Sequence, residues 1–143
     1  MFHFHFYVHL KRDADGREFC ERVREFMSYL YEREYIGGFN IARRQFTIDP
    51  PNLGEYHVVV DFETGSQMSR AFNEVGQRRG ETEEFHKAVI DCVADMTVAL
   101  YRDYPEVVRR GLKIDLAAEP RDSAGEPLKV PSFLEDERKK RSQ

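Results

Sequence analysis

The chain has 143 residues, enough for one compact domain with a buried core, and 41% hydrophobic content beside 34% charge suits a globular protein with a charged surface. Its net charge is −4, with acidic and basic residues interleaved, which argues against a dedicated nucleic-acid or anionic-membrane binder carrying a basic face. No apolar run approaches the roughly 18 residues of a membrane helix, and the start lacks the basic and apolar regions of a secretory signal, so a cytoplasmic location is expected.

The first ten residues alternate strictly. Phe2, Phe4, Phe6, Val8 and Leu10 fall on one side, and His3, His5, Tyr7 and His9 on the other. Period two over aromatic and β-branched residues predicts a strand with one buried face. The second face is lined with imidazoles and a phenol, and it holds three of the chain's five histidines. Any chemistry is expected there.

Asp15-Gly-Arg-Glu18 has the spacing of a helix capping box with aspartate as the cap. Phe19, Cys20, Val23, Phe26, Met27 and Leu30 then recur at helical spacing, predicting a helix that ends near Glu34. Gly37-Gly38 breaks the pattern, and Phe39 to Thr47 reads as a second strand. Asp49 to Gly54 is a turn. Tyr56 to Phe62 alternates again, with Tyr56, Val58, Val60 and Phe62 apolar and His57, Val59 and Asp61 opposite.

Thr64-Gly-Ser-Gln67 is a second capping box, opening a helix with Met68, Ala71, Phe72 and Val75 inward. Gly76 and Gly80 bracket a linker. A long helix is expected from about Glu81 to Tyr104, with an acidic first turn and a stripe of Phe85, Ala88, Val89, Cys92, Val93, Met96, Ala99 and Leu100. Pro105 would end it. Leu112 to Leu116 offers a short fourth strand. From Ala117 the composition shifts to Pro, Glu, Arg, Lys and Ser, so residues 1–116 are read as the domain and 117–143 as a polar, mobile tail. Cys20 and Cys92 both lie in apolar stripes, as buried free thiols do.

The order strand-helix-strand-strand-helix-helix-strand predicts an α+β sandwich, an antiparallel sheet with its helices on one face. Right-handed crossover places the third strand between the first and second, so the first and third are central neighbours. This arrangement resembles the ferredoxin-like fold and, more narrowly, the dimeric α/β-barrel superfamily. The resemblance covers roughly residues 1–116 and rests on element order and the His-rich second face. It implies two sheets packed face to face in a homodimer, with an enclosed space that binds or transforms a small molecule. A face rich in semi-polar aromatic groups suits a partly hydrated interface better than bulk water.

With strand ends aligned, Asp61 falls opposite His3 or His5, and His57 opposite Tyr7 or His9. Two clusters follow. His3, His5 and Asp61 are a ligand set compatible with a divalent transition metal, because two imidazoles two residues apart on a strand are about 6.5–7 Å apart at the backbone. Tyr7, His9 and His57 suit acid–base catalysis, since histidine titrates near neutrality and a tyrosine stabilises developing negative charge. The plainer alternative, a hydrogen-bonded network filling the barrel interior, carries more weight for both clusters. Arg43 and Arg44 are candidates for an anion contact with a cofactor or substrate carboxylate, against the alternative that they blunt an edge strand.

The chain has no Gly-rich phosphate loop, CxxC pair, GxSxG elbow or HExxH helix. An RNA-recognition topology would share this element order, but its open face needs base-stacking aromatics where His57 and Val59 stand. The functional expectation is therefore a small-molecule-binding homodimer using acid–base or metal-assisted chemistry. The alternative is a non-catalytic interaction domain whose tail recruits a partner.

Overall fold

Alternation at the start of the chain becomes β1 (Phe2–Leu10), and the capping signal at Asp15 becomes α1 (Gly16–Glu32). The computed structural model describes residues 1–46 and 53–104. The Asp15 side chain accepts from the Arg17 backbone N–H at 2.8 Å, satisfying one of the orphan donors of the first turn. At the other end Tyr35 N–H donates to the Leu30 carbonyl and Glu34 N–H to that of Tyr31, the bonding of a Schellman motif. Glu34, not a glycine, holds the left-handed position, at φ 60°.

β2 (Gly38–Arg43) and β3 (Tyr56–Phe62) follow. α2 (Gly65–Gly76) is capped by Thr64, whose hydroxyl accepts from Gln67 N–H at 3.1 Å, while the Gln67 side chain reaches back to Glu63 N–H at 2.8 Å. α3 (Gly80–Ile90) and β4 (Val93–Arg102) complete the described domain. The four strands form one antiparallel sheet in the order β2-β3-β1-β4, with β1 and β3 central as expected.

The expected helix from Glu81 to Tyr104 is corrected. The helix stops at Ile90, and Val93–Arg102 is a strand along the free edge of β1, pairing from Leu10↔Val93 to Phe2↔Arg102. The physical reason is a tertiary demand. Without β4, one whole row of β1 backbone donors and acceptors would lack partners beside the core, a cost that outweighs a residue's weak helical preference. The strand proposed at 112–116, the boundary near 116, the tail and the 49–52 part of the turn lie outside the described residues.

The core lies between the sheet and the helices. Phe4, Phe19 and Val23 are fully buried, joined by Val58, Val60, Phe62, Phe26, Leu30 and Met68. Each such side chain contributes roughly 1.5–3 kcal/mol on burial. α3 is tied down by Thr82, buried between the Tyr29 hydroxyl at 3.0 Å and the Glu74 carboxylate at 2.9 Å. Both cysteines are free, Cys92 buried and Cys20 half-buried at the margin of the α1 stripe. The helices cover one face of the sheet, so the histidine face is left open.

Candidate functional site

Strand parity builds the open face in rows. Asp61, His3 and Tyr101 stand side by side across β3, β1 and β4; His57, Tyr7 and Thr97 form another row. Between these two rows lie Val59, His5 and Ala99. Asp61 opposite His3 and His57 opposite Tyr7 are each one of the two pairings the sequence left open. The antiparallel β1–β3 ladder fixes them, because a slip of one residue would turn the phenylalanines of β1 into solvent.

His3 sits between two carboxylates. Its Nδ1 donates to Asp61 at 2.6 Å and its Nε2 to Asp103 at 2.6 Å. These two hydrogen bonds, Asp61 first, hold His3 above the usual imidazole range and favour its protonated form. The same bond keeps Asp103 below the usual carboxylate range.

His5 turns away from His3 and toward the other row. Its Nδ1 lies 2.9 Å from His57 Nε2, and one ring donates to the other. The two rings are within 7° of parallel with centroids 5.1 Å apart. With the facing nitrogens so close, they meet edge to edge rather than face to face. Desolvation pushes both rings below the usual imidazole range, with the charge on His3 adding to the effect at His5 and mutual repulsion adding at His57. The pair is therefore neutral near pH 7. Tyr7 stacks flat on His57 at 4.5 Å and 3°, and Tyr101 packs edge-on against His5 at 4.9 Å.

The structure thus joins the two expected clusters through His5 and redistributes their members. His3 and Asp61 meet, but His5 does not face them. Both nitrogens of His3 are occupied by carboxylates, and among the described residues no three of His, Cys, Asp or Glu gather as a metal site would require. Tyr7 and His57 meet, whereas His9 is held apart by Asp95 at 2.7 Å. Arg43 lies on the other side of the sheet, bonded to Glu55 at 2.8 and 3.0 Å. Arg44 follows β2, its backbone N–H donating to the Glu55 carbonyl.

Sequence reasoning missed Asp95, Tyr101 and Asp103, all of which lie on or just past β4. The signal was present as a second alternation, Asp95, Thr97, Ala99 and Tyr101 against Met96, Val98 and Leu100. The open face carries a histidine held between two carboxylates, a neutral imidazole pair and two tyrosine rings. The unprotonated imidazole pair is the group of this set able to accept a proton.

No curated protein is similar to this chain in sequence. Solved structures share the fold. A protein from Arabidopsis thaliana superposes with a TM-score of 0.57 at 13% identity, covering 76% of this chain and 100% of its own. A mutant of the cofactor-independent oxygenase SnoaB from Streptomyces nogalater gives 0.52 at 11% identity, covering 76% and 95%. A dimeric protein of unknown function with a ferredoxin-like fold from Bacteroides fragilis aligns at 0.46 with 9% identity, covering 71% and 95%. The shared fold is the ferredoxin-like one that the β2-β3-β1-β4 sheet with its helices on one face describes. Residues 1–114 match the model of the family of unknown function DUF6614, and the chain belongs to that family.

Proposed function

We propose that the open sheet face is the floor of a small-molecule site closed by a second copy of the chain, and that the His5–His57 pair is its general base. The observation that carries this reading is the division of labour among three neighbouring imidazoles. One is held protonated by two carboxylates, and two are held neutral and hydrogen-bonded to each other. Titratable neighbours pushed in opposite directions are how acid and base roles are separated at one pH.

The substrate class that fits is a flat organic molecule with an acidic C–H or phenolic O–H. It would lie against Tyr7 and Tyr101 and give its proton to the imidazole pair, whose newly charged form then faces the anion it has produced. Such chemistry needs no cofactor. A second copy supports the reading because the half-exposed polar-aromatic face has no roof in one protomer, and a water-excluding roof strengthens each charge interaction inside.

The test is solvent deuterium exchange into a panel of small enolisable ketones and hydroxyarenes at neutral pH, followed by NMR, with sedimentation measuring the oligomer. The expected result is a dimer that accelerates exchange for part of the panel. His57→Ala should lower that acceleration by on the order of 10²-fold, as loss of a general base does. Equal rates for wild type and variant would sink the proposal.

A metal at His3, His5 and Asp61 is the competing chemistry. It requires His5 to leave His57 and His3 to lose its proton. About one tightly held metal per protomer in protein purified without chelators, absent from His3→Ala/His5→Ala, would favour it over the base.

A further inference from the structure

On the opposite side of the sheet, a cleft of about 240 Å³ opens between the first turns of α1 and the edge strand β2. Arg17, Cys20 and Arg24 are spaced i, i+3 and i+7, so they share one helical stripe beside the buried one and line one wall. Arg43 and Ile41 of β2 line the other, and Tyr56 lies between. Among the described residues no carboxylate lines the cleft. Two neighbouring acids are engaged, Asp15 on the Arg17 backbone N–H and Glu55 on the Arg43 guanidinium.

Three observations point to a missing ligand. Arg17 and Arg24 form no side-chain hydrogen bond or ion pair with any described residue. Tyr56 is only 7% exposed, yet its hydroxyl makes no hydrogen bond with any described residue and faces the cleft. The hydroxyl itself is not enclosed, so it stands at the cleft surface with its O–H available to a ligand. Finally, Gly16 makes room for that hydroxyl: a Cβ there would lie 1.9 Å from Tyr56 Oη.

We propose that this cleft binds a small dianion bearing a phosphate monoester group, with Arg17, Arg24 and Arg43 around the phosphate and the Tyr56 hydroxyl donating to it. Three guanidinium groups on the walls of one cleft, together with a neutral donor and the positive end of α1, match a doubly charged tetrahedral group with three acceptor oxygens. One or two carboxylate oxygens would leave donors unmet. Ile41 gives the organic part of the ligand an apolar wall. The cleft is on the helix side, so the proposal stands independently of the base on the open face.

Cys20 in the cleft wall is a built-in reporter. Its alkylation by iodoacetamide, followed by peptide mass spectrometry, is measured with inorganic phosphate, glycerol 3-phosphate and succinate at matched ionic strength. Expected is a saturable slowing by about fivefold or more with the phosphates, as occupancy of a site requires. That slowing should be lost in Arg17→Gln/Arg24→Gln and weakened in Tyr56→Phe. Titration calorimetry with glycerol 3-phosphate gives the same answer should Cys20 react too slowly to follow. No saturable effect and no heat, protection unchanged in the double arginine variant, or succinate protecting better than both phosphates would each overturn the proposal.

Discussion

His5 Nδ1 and His57 Nε2 stand 2.9 Å apart across the two central strands, diagonal to the direct register pairing. The bond needs one nitrogen to donate and the other to accept, so protonating both rings breaks it and places two like charges together. Burial holds both rings below their usual range. In the unfolded chain they take up protons as the pH falls through about 6.5, while in the folded chain they resist. Stability from the pair is therefore present above that pH and lost as the pH falls toward the folded values. Urea denaturation should show the gap between wild type and His5→Gln/His57→Gln shrinking between about pH 7.5 and about pH 5.5. A gap that widens on acidification would contradict the neutral pair.

His3 carries the opposite sign. Asp61 and Asp103 raise it, so the stability it contributes is complete below the unfolded pKa of about 6.5 and fades as the pH rises through the higher folded value. Asp61→Asn should bring the His3 titration, followed by NMR of the ring protons, back toward the usual range. The loss in stability near pH 6 should be on the order of 1 kcal/mol, because these groups are about one-third exposed and solvent screens them. Added salt should shrink it further. An unmoved His3 titration in Asp61→Asn would show that Asp103 alone holds the proton.

These two relationships were legible in the sequence to different degrees. Parity placed Asp61 opposite His3 or His5 and His57 opposite Tyr7 or His9, because period two fixes the face once the phenylalanines are buried but leaves the register open by two residues. The diagonal from His5 to His57 depends on side-chain rotamers, which spacing does not determine. β4 reads as helix in the sequence because Phe85, Ala88, Val89, Cys92, Val93, Met96 and Leu100 also satisfy a helical period. An edge strand, with Leu100 and Tyr101 both well exposed, gives only a faint alternation. A helical reading of that stretch hides Asp95, Tyr101 and Asp103, and with them the second carboxylate that raises His3.

The end of α1 offers a gain. Glu34 holds φ 60° at the position where helices usually place glycine. Its carbonyl accepts from Gln67 Nε2 and an Arg70 guanidinium nitrogen, each at 3.1 Å, and a glycine carbonyl would accept the same bonds. A non-glycine residue in this conformation costs roughly 1–2 kcal/mol, and the added freedom of glycine in the unfolded chain offsets part of the relief. Glu34→Gly should therefore stabilise by about 0.5–1 kcal/mol, raising Tm by a few degrees. A lower Tm would mean that the Glu34 side chain supplies more than its backbone costs.

The start of the same helix behaves in reverse. In an ordinary first turn Gly→Ala favours the helix by up to about 1 kcal/mol. At Gly16 the new Cβ would lie 1.9 Å from Tyr56 Oη and 2.9 Å from its Cζ, closer than real contacts allow. Tyr56 cannot simply retreat, because its ring packs against Phe19 at 5.3 Å and is 7% exposed. Gly16→Ala should cost about 1–3 kcal/mol, as overpacking does. Tyr56→Phe removes the atom in the worst clash, so in a double-mutant cycle the cost of Gly16→Ala should be smaller in the Tyr56→Phe background. Independent, additive effects would show that α1 shifts as a body to admit the methyl group. The phenol would then have a looser seat in the cleft, and dianion binding in Gly16→Ala should survive. A coupled cycle instead predicts that Gly16→Ala loses phosphate protection of Cys20 together with the placement of the Tyr56 hydroxyl.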